Sequence, residues 1–171
     1  MKNFTAQRLL ALVLAIAMLL PMVQGALPVV HAVSDGMETA ADWEATLPEK
    51  LTGNWREDLL AVVQSQLGYT ESDRYYLEDA DGSRRGYTRY GGWYGSYTQS
   101  QDTPYADWNV MFLFFCLYYA DVSDFPLEED CADWTAVLAA YDLYKQENYA
   151  PVAGDLVFLD TDFDNTADRA G

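Results

Sequence analysis

One run of 13 residues, from Trp108 to Ala120, restricts the possible folds more than any other part of the chain. It reads WNVMFLFFCLYYA and is apolar on every side apart from Asn109. A helix that is apolar all round is normally enclosed by other elements, because its whole surface avoids water. We therefore expect a buried central helix, beginning after Pro104 or Asp107, around which the rest of the domain packs.

An amphipathic helix is predicted on each side of this run along the chain. Asn54 caps the first, Glu57 completes a capping box, and Gly68 ends the helix. Its apolar stripe consists of Leu59, Leu60, Val62, Val63 and Leu67. Asp130 caps the second, which is predicted to run to about Lys145. Its apolar face consists of Trp134, Val137, Leu138 and Tyr141.

The segment over residues 69–104 is rich in glycine, tyrosine, serine and aspartate. Asp81-Gly82, Gly86 and Gly91-Gly92 are turn signals, so a long loop is expected. Its aromatic side chains either line a cleft or pack as surface aromatics. They are Tyr87, Tyr90, Trp93, Tyr94 and Tyr97.

A single strand is predicted near the end of the sequence, at Leu156 to Leu159, after a turn at Pro151 to Gly154. One strand cannot form a sheet, so its partners are expected either in the loop region or beyond Gly171. The second alternative predicts that the sequence is truncated at its C-terminus.

The amino terminus has the pattern of a secretory signal peptide. Lys2 and Arg8 accompany an apolar run of 12 residues, Leu9 to Leu20, and small residues follow at the spacing that signal peptidases recognise. Cleavage is expected after Ala32, with Val23-Gln24-Gly25 as a second candidate site. A membrane-spanning helix needs about 20 apolar residues, so this run is short for a permanent anchor, and an uncleaved anchor is the alternative.

The signal peptide divides the chain into an exported part and a removed part. We expect a signal peptide over residues 1–32, a polar lead-in over residues 33–53 and one domain over residues 54–171. The mature chain is expected to be secreted or held at the cell surface, without a transmembrane anchor.

The sequence is strongly acidic, with a formal net charge of −17. Such a charge repels nucleic acids and anionic lipid surfaces, so neither is an expected partner. Aromatic residues make up 15% of the chain, which argues against disorder because these side chains need burial or a binding partner.

Histidine and cysteine usage limits the available chemistry. The single histidine, His31, falls inside the predicted signal peptide, so the exported domain has none. This excludes a Cys-His pair, a Ser-His-Asp triad and a histidine-ligated zinc site. The two cysteines, Cys116 and Cys131, either form a disulfide, which export permits, or remain as two buried thiols.

An acidic run near the end of the sequence places carboxylates at nearly alternate positions: Asp160, Asp162, Asp164 and Asp168. This spacing is similar to the start of a calcium loop. Asn165 stands where glycine is wanted, and Gly171 stands where a bidentate glutamate is usual. Two interpretations stay open, a weak calcium site formed by the four aspartates and a solvated acidic turn between strands. No other cofactor is expected.

Four short segments of the chain, taken in their order along the sequence, point to a resemblance with a known family. They are Gln64–Tyr69, Tyr90–Gly95, Trp108–Phe112 and Pro151–Phe158. Together they resemble CHAP domains (cysteine, histidine-dependent amidohydrolases/peptidases), a papain-like family of bacterial cell-wall hydrolases, over residues 55–171. The resemblance implies an α+β, papain-like fold with helices packed on a small antiparallel sheet.

Both catalytic positions of that family are substituted. The family places a nucleophilic cysteine after the tryptophan that is Trp108 here, at a helix start where the dipole favours a thiolate, but this chain has Asn109. The family's histidine belongs near Asp168, where Arg169 stands, and a guanidinium cannot act as a general base. Cys116 lies seven residues beyond Asn109, about 10 Å along the helix axis, among apolar neighbours.

We therefore expect a secreted CHAP-like domain that is catalytically inactive and binds peptidoglycan or a muropeptide. The candidates to line its ligand groove are Tyr90, Trp93, Tyr94 and Trp108. Two alternatives remain open: a fragment of an active cell-wall cysteine hydrolase, and an acidic surface module stabilised by calcium.

Overall fold

A computed structural model describes residues 37–145 and 149–171, together with the backbone of Val29–Val30. The predicted signal peptide, its cleavage site and the first residues of the lead-in lie outside the described residues, apart from that short strand. Within the described ranges, no helix has both the length and the apolar character needed to cross a membrane.

Helices and short antiparallel strands follow one another along the chain, which confirms the α+β class. The first half contains β1 (Val29–Val30), α1 (Ala40–Glu44), α2 (Trp55–Ser65), β2 (Tyr76–Glu78), β3 (Arg84–Gly86) and α3 (Arg89–Thr98). The second half contains a 3₁₀ turn (Thr103–Tyr105), α4 (Asn109–Tyr119), α5 (Cys131–Ala140), β4 (Phe158–Leu159) and β5 (Arg169–Ala170). One antiparallel sheet has the order β1-β2-β3, and a second joins β4 to β5.

The apolar run forms the central helix, as predicted. The helix α4 packs against α2, α3 and β5. Its buried residues are Val110, Leu113, Phe114, Phe115, Cys116 and Leu117. Tyr118 is the exception to all-round burial, with 52% of its surface exposed. The core is thus built around α4 because nearly every face of this helix is apolar.

The two flanking helices are confirmed at their starts, and their ends differ from the prediction. The side chain of Asn54 accepts a hydrogen bond from the N–H of Arg56 at the start of α2. Asp130 accepts from two N–H groups at the start of α5. Leu67 and Tyr141 are 80% and 68% exposed, so their assignment to the apolar faces is wrong. Each lies past the helix end, where the chain turns through positive φ at Gly68 and Asp142.

The predicted long loop is wrong, because much of residues 69–104 is regular structure. The strands β2 and β3 form a hairpin, and α3 follows with Thr88 as its cap, since the Thr88 hydroxyl accepts from the N–H of Gly91. Tyr90, Trp93 and Tyr94 are buried on one face of α3. Their spacing is the helical one, and it outweighs the turn signal of the glycines.

The glycines of α3 have a packing role. A Cβ on Gly91 would clash with the carbonyl oxygen of Thr103, and one on Gly95 would lie 2.6 Å from that of Ser100. The 3₁₀ turn therefore runs directly against α3, where the Thr103 hydroxyl donates to the Gly91 carbonyl at 2.9 Å. Glycine serves close backbone approach here, and not a turn.

The last predicted strand has its partner inside the sequence. Phe158 pairs with Ala170, and Leu159 pairs with Arg169. The acidic run forms the connecting hairpin, in which Phe163 and Asn165 adopt positive φ and reverse the chain. The partner strand was missed because it is only two residues long.

The lead-in segment packs onto the same core. Trp43 on α1 is buried, with 7% of its surface exposed. Arg89, the first residue of α3, donates to the carboxylate of Glu38, and its Nε lies 3.0 Å from Oε2. The guanidinium also lies over the ring of Tyr69, 4.4 Å from its centroid. Glu38 and Trp43 thus join residues 38–43 to the helices that follow.

Candidate functional site

Asn109, which the CHAP resemblance aligns with a nucleophile, lies at the start of the central helix. Asn109 is the first residue of α4, and its N–H donates to the carboxylate of Asp107 at 3.1 Å. A side chain at this position lies at the positive end of the helix dipole, the location that lowers the pKa of a thiol. An asparagine carboxamide has no ionisable group that could use this field.

The Asn109 carboxamide is instead held by the backbone of β5. Its Nδ2 donates to the carbonyl oxygen of Ala170 at 2.7 Å, and its Oδ1 accepts from the Ala170 N–H at 2.8 Å. Val157 and Gly171 exchange both ladder bonds, so Ala170 directs its own polar groups away from β4. The carboxamide of Asn109 thus pairs with Ala170 as the peptide group of a neighbouring strand would.

Cys131 is the nearer of the two thiols to this pair. It is the first residue of α5, and its Sγ lies 3.8 Å from Asn109 Oδ1, to which it donates. Burial raises the pKa of the Cys131 thiol, and the carboxylates of Asp130, Asp107 and Asp168 raise it further, against a smaller opposite effect of Arg169. The thiol is therefore kept protonated at neutral pH.

Cys116 lies deeper in the core and does not reach the pair. It is fully buried, and burial raises the pKa of its thiol to about 12. Both cysteines are free and buried in the structure. The structure therefore agrees with the alternative of two buried thiols and not with the disulfide.

Arg169, the second position that the resemblance singles out, adjoins the residue that Asn109 binds. Arg169 precedes Ala170 on β5, and Ala170 is bonded to Asn109. Arg169 is exposed, whereas Ala170 is buried. Asn109 carries an amide and Arg169 a guanidinium, and neither group can take a proton from a nucleophile at neutral pH.

The four groove candidates are mostly part of the core. Tyr90, Trp93 and Tyr94 are between 1% and 7% exposed, and Trp108 is half-buried. The ring of Tyr90 stacks on that of Trp108, with centroids 5.2 Å apart. Trp93 lines one surface cavity and Tyr94 lines two neighbouring ones, and the exposed ring that both cavities share is Tyr97.

We call the first of these cavities the aromatic cavity. It has a volume of about 480 Å³. Its lining includes Leu51, Trp93, Tyr94, Tyr97, Phe114, Tyr118, Tyr119 and Leu127. Tyr97 stacks on Trp93 with centroids 5.4 Å apart, and Tyr118 lies 5.7 Å from Tyr97. Tyr97 and Tyr118 are each more than half exposed, so their rings face solvent at the mouth.

The neighbouring cavity shares part of this wall and is acidic; we call it the acidic cavity. Its volume is about 600 Å³. It is lined by Tyr94, Tyr97, Thr98, Phe114, Leu127, Glu128, Glu129, Asp130 and Asp133. The hydroxyl of Tyr94 donates to Glu129 at 2.7 Å. Burial and the charges of Glu129 and Glu128 raise the pKa of Tyr94, so its hydroxyl remains a donor.

The acidic run forms a hairpin loop whose carboxylates bind backbone N–H groups. Asp160 accepts from the N–H groups of Phe163 and Asn165, and Asp168 accepts from both the N–H and the hydroxyl of Thr161. The two hydrogen bonds from Thr161 lower the pKa of Asp168. Oxygens of Asp160, Asp162 and Asp168 lie within 4.8 Å of one another, without Asp164. Three of the four predicted calcium ligands are thus close together.

Sequence reasoning missed the Asn109–Ala170 pair and the acidic cavity. The pair joins residues 61 positions apart, so no local pattern indicates it. The cavity joins the end of α3 to the start of α5. The two walls of this cavity do leave a signal in the sequence. Tyr94 and Tyr97 continue the helical spacing of Tyr90, and acidic residues are concentrated over residues 128–133.

Comparison with known proteins gives no relative from which to assign a class beyond α+β. No family model matches the chain, and no curated protein or solved structure matches it.

Proposed function

We propose that this chain is a catalytically inactive relative of the CHAP cell-wall hydrolases that binds peptidoglycan or a muropeptide. The observation that carries the proposal is the state of Asn109. It occupies the nucleophile position of the resemblance, and both of its polar atoms are engaged by Ala170.

The surroundings of Asn109 also argue against catalysis. A cysteine hydrolase needs a thiolate beside a group that accepts its proton. The nearest thiol, Cys131, has a raised pKa, and Arg169 stands at the family's histidine position. The contact between the start of the central helix α4 and the strand β5 near the end of the chain supports a papain-like topology, because the resemblance implies this arrangement.

The aromatic cavity supports a binding role. Sugar rings present faces of C–H groups, which pack well on flat aromatic rings while the hydroxyls stay hydrated. Tyr97 and Tyr118 offer exposed rings at the mouth, and Trp93 holds Tyr97 in place by stacking. Pockets of several hundred Å³ with apolar walls and a few polar groups are typical of ligand sites.

Sedimentation with insoluble peptidoglycan tests the binding role. The purified protein should pellet with the sacculi, and Tyr97→Ala and Tyr118→Ala should each reduce the pelleted fraction. Tyr141→Ala is the matched control, because Tyr141 is an exposed tyrosine that does not line either cavity. Pelleting that is unchanged in both cavity variants, or absent in the wild type, would contradict the proposal.

Release of new amino groups from the same sacculi tests the absence of catalysis. We expect none above the level of the buffer. If release occurs and is lost in Cys131→Ser but not in Cys116→Ser, the alternative of an active cysteine hydrolase is correct. Release that survives both substitutions would also contradict the proposal that the protein is inactive, and it would exclude both thiols as the nucleophile.

Export is part of the proposal and has its own test. Expression with the native amino terminus should give a protein in the medium or at the cell surface that begins at Val33, so that β2 and β3 remain as a two-stranded hairpin without β1. Retention of the uncleaved chain in the membrane fraction would contradict export of a free domain and favour the uncleaved anchor.

A further inference from the structure

Residues 37–51, which we call the strap, contain α1 and precede α2. Their backbone hydrogen bonds join strap residues to one another: the N–H of Asp42 donates to the carbonyl of Thr39, and that of Leu47 donates to the carbonyl of Glu44. No backbone–backbone hydrogen bond joins the strap to the rest of the described chain. Apart from the chain connection itself, side chains alone therefore attach the strap to the domain.

The C-terminal end of the strap adjoins a fixed base. The buried carboxylate of Asp58 accepts from the N–H and the hydroxyl of Thr52 and from the N–H of Gly53, at 2.7 to 2.9 Å. Hydrogen bonds to a charged carboxylate are among the stronger ones in proteins. Residues 52–53 are therefore held to α2 independently of the strap that precedes them.

A polar cluster around Arg89 attaches the other parts of the strap. The carboxylate of Glu38 accepts from Nε of Arg89 at 3.0 Å and from a second nitrogen of the same guanidinium. The hydroxyl of Thr46 accepts from Arg89 at 3.3 Å and from Gln66 at 3.0 Å. Polar groups such as these bond to water once they are exposed, so their separation costs less than their strength inside the protein suggests.

Trp43 is the one buried residue of α1 and attaches the middle of the strap. Burial raises the pKa of Tyr119, and the indole N–H of Trp43 beside its hydroxyl lowers it. This indole N–H is nevertheless buried without a hydrogen bond of ordinary geometry. It would bond to water if the strap lifted, which offsets part of the cost of exposing the ring.

The strap also forms part of the wall of the aromatic cavity. Leu51, the last residue of the strap, lines this cavity and is 42% exposed. Tyr119, the neighbour of Trp43, lines it as well and is half-buried. The exposed rings of Tyr97 and Tyr118 belong to α3 and α4. Lifting the strap would therefore remove Leu51 from the wall and uncover Tyr119, while the other rings stay in place.

We propose that the strap opens and closes as a unit about residues 52–53, and that the aromatic cavity binds its ligand in the closed form. Opening breaks the pair of Glu38 with Arg89 and lifts Trp43, whereas the hydrogen bonds of Asp58 persist. A ligand that binds the closed form lowers the open population. The coupling to a ligand rests on the proposed function, and the opening itself does not.

Native-state hydrogen exchange of the purified protein in low urea tests the opening. The hydrogen-bonded amides of residues 42–47 should exchange together, with one shallow dependence on urea, and faster than the amides of α4, which exchange through global unfolding. Strap amides that exchange only at the global rate, or at unrelated rates without a common urea dependence, would overturn opening as a unit.

Three variants locate the contacts that break on opening. Glu38→Gln weakens the closed form alone, so the strap amides should exchange about tenfold faster. Asp58→Asn weakens the closed and open forms equally, so it should speed exchange in α4 and leave the strap rates unchanged. Glu49→Gln, at an exposed position of the strap, is the control and should change neither. An unchanged strap rate in Glu38→Gln, or equal acceleration of both sets by Asp58→Asn, would overturn the proposal.

Nitration with tetranitromethane and peptide mapping test the contact with the cavity wall without any ligand. Tyr119 should be nitrated faster in Glu38→Gln than in the wild type, because the open form uncovers its ring. Tyr97, 59% exposed, is the internal control and should react at the same rate in both. Equal rates at Tyr119 would overturn the role of the strap as a cover for this wall.

Hydrogen exchange in a muramidase digest of peptidoglycan separates the coupling from the proposed function. We expect the strap amides and the α4 amides to slow by the same factor, because the ligand binds the closed form and neither the open nor the unfolded one. Slowing in α4 alone would overturn the coupling and leave peptidoglycan binding standing. If neither set slows and the protein does not pellet with sacculi, the proposed function and the coupling are both overturned, and the opening stands on the first measurements.

Discussion

Replacing Asn109 by alanine should destabilise the protein substantially, because the carboxamide is the partner of a buried peptide group. The substitution removes two hydrogen bonds, at 2.7 and 2.8 Å, and leaves both polar groups of Ala170 without a partner. Ala170 is only 4% exposed, so water reaches these groups poorly.

The magnitude follows from the cost of leaving buried polar groups unpaired. Each unsatisfied group costs about 1–3 kcal/mol, and partial access of water after truncation lowers the sum for the two. We expect a loss of about 2–4 kcal/mol in the free energy of unfolding. For a chain of this size, each kcal/mol shifts Tm by about 2–4 °C, so Tm should fall by roughly 4–16 °C.

Urea unfolding followed by tryptophan fluorescence measures the change, with circular dichroism as a second probe. The control is Gln64→Ala, which truncates an exposed amide on α2 and should stay within about 0.5 kcal/mol of the wild type. If Asn109→Ala is as stable as this control, the carboxamide does not pair with β5 and the account of the site is wrong. The m-value should be the same in both variants, because the folded state keeps its compactness.

Three further predictions concern thiols, pH and calcium. Burial raises the pKa of Cys116 to about 12 and also raises that of Cys131, so iodoacetamide should label neither in the native protein and both in urea; rapid native labelling of Cys131 would contradict this. Hydrogen bonds from the N–H and hydroxyl of Thr52 and the N–H of Gly53 hold the pKa of Asp58 below its usual value. The stability that Asp58 adds is thus present above about pH 4 and is lost as the pH falls through its folded pKa, so Asp58→Asn should cost most at neutral pH and less in acid; a cost independent of pH in urea titrations would count against it. The 160–168 hairpin is held by its own hydrogen bonds, so calorimetry should give the same Tm in millimolar calcium and in chelator, and a rise with calcium would favour the calcium-stabilised module.

The helices that the sequence predicted correctly carry their information locally. Asn54 and Asp130 cap α2 and α5 with side chains that accept from the first turn. The apolar run of α4 needs no partner to identify it, because its composition alone requires burial. Such signals lie within a few residues of the structure that they specify.

The parts that the sequence did not predict depend on contacts between distant segments. Gly91 indicates a turn when it is read together with Gly92, yet Gly91 and Gly95 allow the following segment, which includes the 3₁₀ turn, to lie against α3. The pairing of β5 depends on Phe158 and on a side chain of α4, and its two residues show no alternation of their own. The acidic cavity likewise forms only when α3 and α5 are brought together.

If the proposed descent from a cysteine hydrolase is correct, the bond between Asn109 and β5 makes the loss of the nucleophile difficult to reverse. A change of Asn109 to cysteine would supply a thiol at the helix start and at the same time leave the N–H and C=O of Ala170 without partners. Such a variant would be less stable before it gained any activity, since position 169 would still hold an arginine, which cannot act as a general base. Under that proposal the edge of β5 and the catalytic position compete for one residue, and catalysis can be recovered only through a less stable intermediate.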